Sequence, residues 1–212
     1  MDKLEFIYRR HSIRRFTADE VPQEDLEQIL KAATYAPSGR NRQNWHFVVI
    51  KNRAKIKEIA RLVTEKHARL VALLKNPEAI ARLKASLVYH TIFADAPLLI
   101  LVYTGPYPHV SEDLAAEQAL DPAAIAELAR PQPGLQNVAA AMENLLLAAA
   151  NLGYGGCWMT GPTYAAEEIT QYIGFSKAGY YLVAMTPLGV PADKEIISPP
   201  RKPLSEVVTI IE

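Results

Sequence analysis

The residues from Leu135 to Asn151 constrain the fold of this chain more than any other segment. They are rich in Ala and Leu, which lose little freedom in a helix. The predicted helix is apolar almost all round, so it must be buried on several sides. Gly153 is placed to stop it. A second constraint comes from Pro97 to Tyr103, which is apolar at consecutive positions rather than alternate ones. That pattern predicts a central strand covered on both faces.

The remaining segments fit around these two. Leu4, Ile7 and Tyr8 share one face of a short first helix, with Asp2 as its candidate N-cap. Pro22 opens a second helix whose stripe is Leu26, Ile29, Leu30 and Ala33, and Pro37-Ser38-Gly39 stops it. His46 to Ile50 is a short β-rich run. Ile56, Ile59, Ala60 and Val63 mark a third helix, broken at Asn76-Pro77, and Glu78 to Tyr89 predicts a fourth. Gly105 to Gly134 carries five prolines and one helical run, Glu112 to Leu120, and reads as a surface excursion or lid. Strand candidates follow at 155–159 and 180–186, with a helix between them at 165–173. The arm at 191–212 ends in the strand-like Val207-Val208-Thr209-Ile210-Ile211. With no hairpin partner nearby, that run is suited to pair with another subunit. Neither an internal repeat nor a linker of disordered composition interrupts the chain, so residues 1–212 read as one α+β domain with more helix than strand.

Composition excludes several function classes. Lys plus Arg equals Asp plus Glu, 23 of each in 212 residues, which argues against non-specific binding to nucleic acid or an anionic membrane. Cys157 is the sole cysteine, so no intrachain disulfide or CxxC zinc or redox motif can form. The apolar stretches Ala94 to Tyr103 and Val138 to Leu152 are interrupted by Asp95, Glu143 and Asn144 and fall short of the ~20 residues of a membrane span. With no signal-peptide pattern at Met1 to Glu5, the expectation is a soluble cytoplasmic protein.

Against this neutral background, Arg10-His11-Ser12-Ile13-Arg14-Arg15-Phe16 concentrates three guanidiniums, an imidazole and a hydroxyl. Planar guanidinium forks suit a terminal phosphate. A solvated basic turn is the other reading of the segment alone. Ala36 to Trp45 packs amides, a hydroxyl and an indole between a helix and a strand, suited either to the polar edge of a planar ring or to a capping turn anchored by Trp45. Trp158-Met159-Thr160-Gly161-Pro162 ends a strand, where Gly161 lets a flat ligand approach the backbone, or where the chain merely turns into a helix. Gly153-Tyr154-Gly155-Gly156 follows a helix and precedes a strand, the reverse of a dinucleotide fingerprint. The five histidines show no metal-ligand spacing, Glu167 and Glu168 diverge on a helix, and Cys157 reads as a structural thiol.

In order along the chain, these segments resemble the flavin-dependent nitroreductase family. Arg10-His11-Ser12-x-Arg14-x-Phe16 resembles its flavin-phosphate motif, and Ala36-Pro37-Ser38-Gly39-x-Asn41-x-Gln43-Asn44-Trp45 resembles its Pro-Ser-x-x-Asn-x-Gln-Pro-Trp loop. Asn144 to Ala149 with Gly153 to Trp158 resembles its central helix and following strand, and Gly189, Pro191, Arg201 to Leu204 and Glu206 to Val208 resemble its C-terminal arm. Two departures stand out: Asn44 occupies a usual proline position, a substitution expected to loosen the loop, and the family's Asn and Lys before the second central strand have no match in Tyr89-His90-Thr91-Ile92.

The resemblance implies a mainly antiparallel central sheet flanked by helices, an intertwined homodimer, and two FMN sites at the interface, each built from both chains. It implies that Arg10, His11, Ser12 and Arg14 hold the phosphate and ribityl chain, with Arg201 and Lys202 closing on the same phosphate. Pro37, Ser38, Gly39 and Asn41 would come from the other subunit, and Trp158, Met159, Thr160 and Gly161 would line one flavin face and its N5 edge. The implied activity is NAD(P)H-driven, ping-pong reduction of a small-molecule acceptor such as a nitroaromatic or quinone. Other chemistry on the same fold (reductive dehalogenation, flavin breakdown, ring oxidation) and a non-catalytic FMN-binding or redox-sensing role are the alternatives. The absence of a separate catalytic acid/base pair fits a reaction carried by the cofactor.

Overall fold

The structure is a computed structural model and describes residues 3–193 and 199–212. Its elements run α1 (Glu5–Tyr8), α2 (Gln23–Thr34), a 3-10 turn (Gly39–Asn41), β1 (Trp45–Ile50), α3 (Arg53–Leu73), α4 (Pro77–His90), β2 (Leu98–Thr104), α5 (Val110–Ala116), α6 (Pro122–Ala129) and α7 (Pro133–Asn151). β3 (Gly155–Gly156), a second 3-10 turn (Gly161–Ala165), α8 (Ala166–Ile173), β4 (Tyr181–Gly189) and α9 (Leu204–Val207) follow. The strands form one antiparallel sheet in the order β1-β2-β4-β3.

All seven residues of β2 are buried, as its continuous apolar run predicts. Strand alternation divides them between two cores. Leu98, Ile100 and Val102 meet Leu26, Ile29 and Ala33 of α2 and Val138, Met142, Leu145 and Ala149 of α7. Leu99, Leu101 and Tyr103 meet Ile56, Ile59 and Val63 of α3 and Ile169 of α8. The sheet is thus enclosed by helices on both faces. Each fully buried large aliphatic side chain contributes roughly 1.5–3 kcal/mol. Register shifts between Val102 and Tyr103, where β4 carries one extra residue. The bulge lets Leu182 and Ala184, two apart, face opposite cores.

Three segments differ from the sequence expectation. The excursion holds two helices, because Gln118 adopts a left-handed φ of 54° and Asp121 then caps a new helix at Ala123 and Ala124. The candidate strand at 155–159 is paired only at Gly155, Gly156 and Met159. The run from Val207 to Ile211 pairs with no described strand of its own chain. Leu204–Val207 is a short helix, and Ile210 and Ile211 are 81% and 91% exposed. The proposed cap Asp2 and part of the arm, residues 194–198, lie outside the described residues. No helix among the described residues is long and apolar enough to cross a membrane.

Candidate functional site

The basic segment runs extended beside the short strand β3. Ser12 bridges Gly156 in parallel, and the Ile13 N–H donates to the Gly156 carbonyl at 2.8 Å. Ile13 is buried against Gly155, where a Cβ would collide with it. Strand alternation then turns Ser12 and Arg14 outward. The Arg14 Nη1 donates to the Ser12 carbonyl at 3.3 Å. The Arg10 Nε lies 3.3 Å from Oε1 of Glu143, the acid of α7. Arg10 and His11 line a cleft of about 250 Å³ with Gly153, Gly155, Gly156 and Pro191. Arg15 turns away to Asp193.

Cys157 lies beneath this cluster. Burial pushes its thiol up from the ordinary value, while Arg14, Ser12 and Arg10 pull in the opposite direction. The chain continues into the strand-end segment. The Met159 N–H and carbonyl both pair with Met185 at 2.9 Å, leaving Met159 buried and its neighbours Trp158 and Thr160 exposed. The basic segment and Trp158–Gly161 are therefore joined through Gly156 along one side of the sheet.

The loop before β1 is tightly made. Arg40, Asn41 and Gln43 all have left-handed φ, between 47° and 54°. Ser38 Oγ accepts from the Gln43 N–H at 3.1 Å, and the Gln43 amide donates to Asn41 Oδ1 at 3.1 Å. Asn44 is only 4% exposed. Its amide donates to Thr104 Oγ1 and to the Gly134 carbonyl, each at 3.0 Å, and its oxygen accepts from Asn137 at 2.8 Å. Asn137 Oδ1 in turn accepts from the Gly39 N–H at 3.1 Å. The departure from proline at Asn44, expected to loosen the loop, instead ties it to β2 and α7. Asn137 was invisible as a site residue in the sequence, since nothing sets it apart from Gln136, Asn144 and Asn151 on the same helix or shows what it faces.

Pro37, Ser38, Gly39 and Asn41 are thus gathered on this loop, but no hydrogen bond or ion pair among the described residues joins them to the basic segment. Arg201 and Lys202 stand exposed on the C-terminal segment, and among the described residues no hydrogen bond or ion pair ties them to the cluster. Among the described residues, no group of His, Cys, Asp and Glu could hold a metal ion.

A profile described as the nitroreductase family matches residues 7–190. The chain belongs to the nitroreductase family. Membership places it among oxidoreductases. A solved BluB-like flavoprotein from Clostridium difficile 630 superposes with a TM-score of 0.90 at 38% identity, with both chains fully covered. A nitroreductase from Desulfitobacterium hafniense DCB-2, solved with bound FMN, gives a TM-score of 0.68 at 25% identity over 99% of this chain and 97% of its own. A Methanothermobacter thermautotrophicus protein provisionally named NADH dehydrogenase/NAD(P)H nitroreductase is 30% identical over 208 residues, 95% of this chain and 85% of its own length.

Proposed function

We propose that this nitroreductase-family chain is an FMN-dependent oxidoreductase that takes electrons from NADH or NADPH and passes them to an electron-poor acceptor, such as a nitroaromatic or a quinone. The observation that carries the reading is the pairing of Ser12 and Ile13 with Gly156. It makes a basic notch and the strand-end segment Trp158–Gly161 neighbours, as one phosphate-bearing planar ligand requires. The residues present fit FMN. Arg10 and His11 line the cleft with Gly153, Gly155 and Gly156, and the exposed Ser12 and Arg14 next to them in sequence add donors for a phosphate. Each guanidinium at ~4 Å from a unit negative charge contributes about 4 kcal/mol at an effective dielectric near 20, before desolvation is subtracted.

When bound, FMN supplies the ring that accepts and returns the electrons. The chain's residues bind and orient it. Arg10 and Arg14 neutralise the phosphate, and the Cys157–Met159 strand end fixes where Trp158, Thr160 and Gly161 meet the ring. Pro37, Ser38, Gly39 and Asn41 serve the partner's site, and Arg201 and Lys202 close a site through the C-terminal arm. The exposed Ile210 and Ile211 and the outer edge of β1 support a homodimer in which arms pair with neighbouring sheets. The excursion at 105–134 begins with Tyr107 seated over Gly39, which suits a roof over the acceptor side. The cellular setting is read as the cytoplasm, with no membrane or nucleic-acid partner.

The test is the absorption spectrum of the purified protein, with the released cofactor identified. Reduction of a nitroaromatic should then give parallel double-reciprocal lines as the nicotinamide is varied. A colourless protein that takes up no added FMN refutes the cofactor assignment, and intersecting lines refute the ping-pong scheme. The 38% identity to a BluB-like flavoprotein favours a second reading, a flavoenzyme of the same fold with other chemistry. FMN bound and reducible but no turnover across a nitroaromatic and quinone panel selects it.

A further inference from the structure

Three rings meet where α3, α4 and the turn Gly161–Ala165 come together. His67 on α3 is 3% exposed, and its Nδ1 lies 3.2 Å from the Tyr164 hydroxyl. His90, the last residue of α4, places its Nδ1 at 3.4 Å from the same hydroxyl. The Tyr164 O–H is directed to the Val63 carbonyl at 3.4 Å. One assignment of protons satisfies all of these contacts: Tyr164 donates to Val63 and accepts from Nδ1–H of both imidazoles. It leaves each Nε2 a bare lone pair. For His67 that atom is buried without a partner, which an acceptor tolerates better than an N–H would. For His90 the bare Nε2 points at Gly161, where a Cβ would collide with it.

We infer that His90 is the base that takes up a charge-balancing proton when the flavin bound against Trp158–Gly161 accepts electrons. This rests on the flavin reading above. The nicotinamide donor gives up two electrons and one proton as a hydride, so the flavin gains one negative charge. A second proton, from solvent, goes onto His90 Nε2, and the pair returns to its original net charge. The geometry suits the role. Tyr164 holds the ring by Nδ1, so only Nε2 is available, and that atom packs against Gly161 of the strand-end segment. Burial, followed by His67, lowers the His90 pKa, which keeps it neutral before reduction. Tyr164 is pushed up to about 12 by burial and keeps its own proton. Among the described residues, the titratable rings packed on His90 are His67 from α3 and Tyr164 from the turn. Beyond them, Lys66 and Arg69 of α3 are paired with Glu168 of α8.

The experiment is the two-electron reduction potential of FMN in the holoprotein, wild type and His90→Gln, measured from about pH 6 to about pH 9. Over the window in which His90 changes charge on reduction, the wild-type reduction equilibrium should change by an extra tenfold per pH unit. That is about 30 mV per unit more slope than in the variant. Parallel slopes overturn the inference while leaving the flavin reading intact. If the variant fails to fold or to hold FMN, the His90 ring is titrated by NMR in oxidised and reduced wild type. A rise in its midpoint on reduction supports the role, and an unmoved midpoint overturns it. Wild-type protein that takes up no FMN defeats the flavin reading and this inference with it.

Discussion

Replacing Asn44 by Ala should expose how the loop before β1 is held. The side chain makes three good hydrogen bonds, to Thr104, Gly134 and Asn137, at 3.0, 3.0 and 2.8 Å. At roughly 1 kcal/mol each, their loss costs about 3 kcal/mol, and the buried Asn137 amide left short of an acceptor adds to it. For a chain of this size that corresponds to a fall in Tm of roughly 10 °C. Asn44→Pro, which restores the residue usual in the resembling loop, should cost as much, because proline cannot replace the amide. Urea unfolding followed by circular dichroism, at one protein concentration, gives the free energy from the midpoint and slope. Asn137→Ala removes one of the same bonds, so the double variant should lose less than the sum of the singles by about 1 kcal/mol. An Asn44→Ala protein within about 0.5 kcal/mol of wild type, or strict additivity with Asn137→Ala, refutes the network as the loop's anchor.

Three further outcomes follow from the same geometry. Arg14→Ala should lose bound FMN yet, with both proteins stripped of FMN, unfold within about 0.5 kcal/mol of wild type, since Arg14 is exposed; a variant as yellow as wild type contradicts the phosphate assignment. Cys157, buried and raised in pKa, should react with a thiol reagent far more slowly in the native protein than in urea, and equal rates would mean the site is open. Glu168 is held below its ordinary 4.5, first by its hydrogen bond to Lys66. A depressed carboxylate stabilises the fold above its unfolded pKa and loses that contribution as pH falls through the folded value. Glu168→Gln should therefore be less stable than wild type by roughly 1 kcal/mol at pH 7 and match it in strong acid. A gap that persists in acid would point to packing rather than charge.

Much of the site was legible because its parts are local. The basic segment, the loop from Pro37 to Trp45 and the strand end at Trp158 each declare themselves by residue type within a few positions. Helix α4 was placed to within a residue at each end, because Asn76-Pro77 forms both the break and the cap. The excursion was misjudged as one helix because Gln118 has no intrinsic need for a left-handed φ; the backbone bonds that end α5 there, from Gln118 N–H to the Ala115 carbonyl and from Ala119 N–H to the Leu114 carbonyl, carry no signature in its side chain. Val207 to Ile211 has a strand's composition, but a strand exists only beside another edge, and this run lies beside none of the described strands of its own chain.

The sequence by itself determined that a helix at 135–151 and a strand at 97–103 would be largely buried, because too little of their composition can face water. It also placed a phosphate-suited cluster at Arg10–Arg14. Tertiary structure alone decided what those elements bring together. Glu143 answers Arg10, Asn137 holds Gly39, and Cys157 lies under Ser12 and Arg14. His67, Tyr164 and His90, separated along the chain by 97 residues and 74 residues, converge on one hydroxyl. Such meetings depend on how helices cross a sheet. Periodicity says which face of an element is buried, but not which residue of another element lies opposite it.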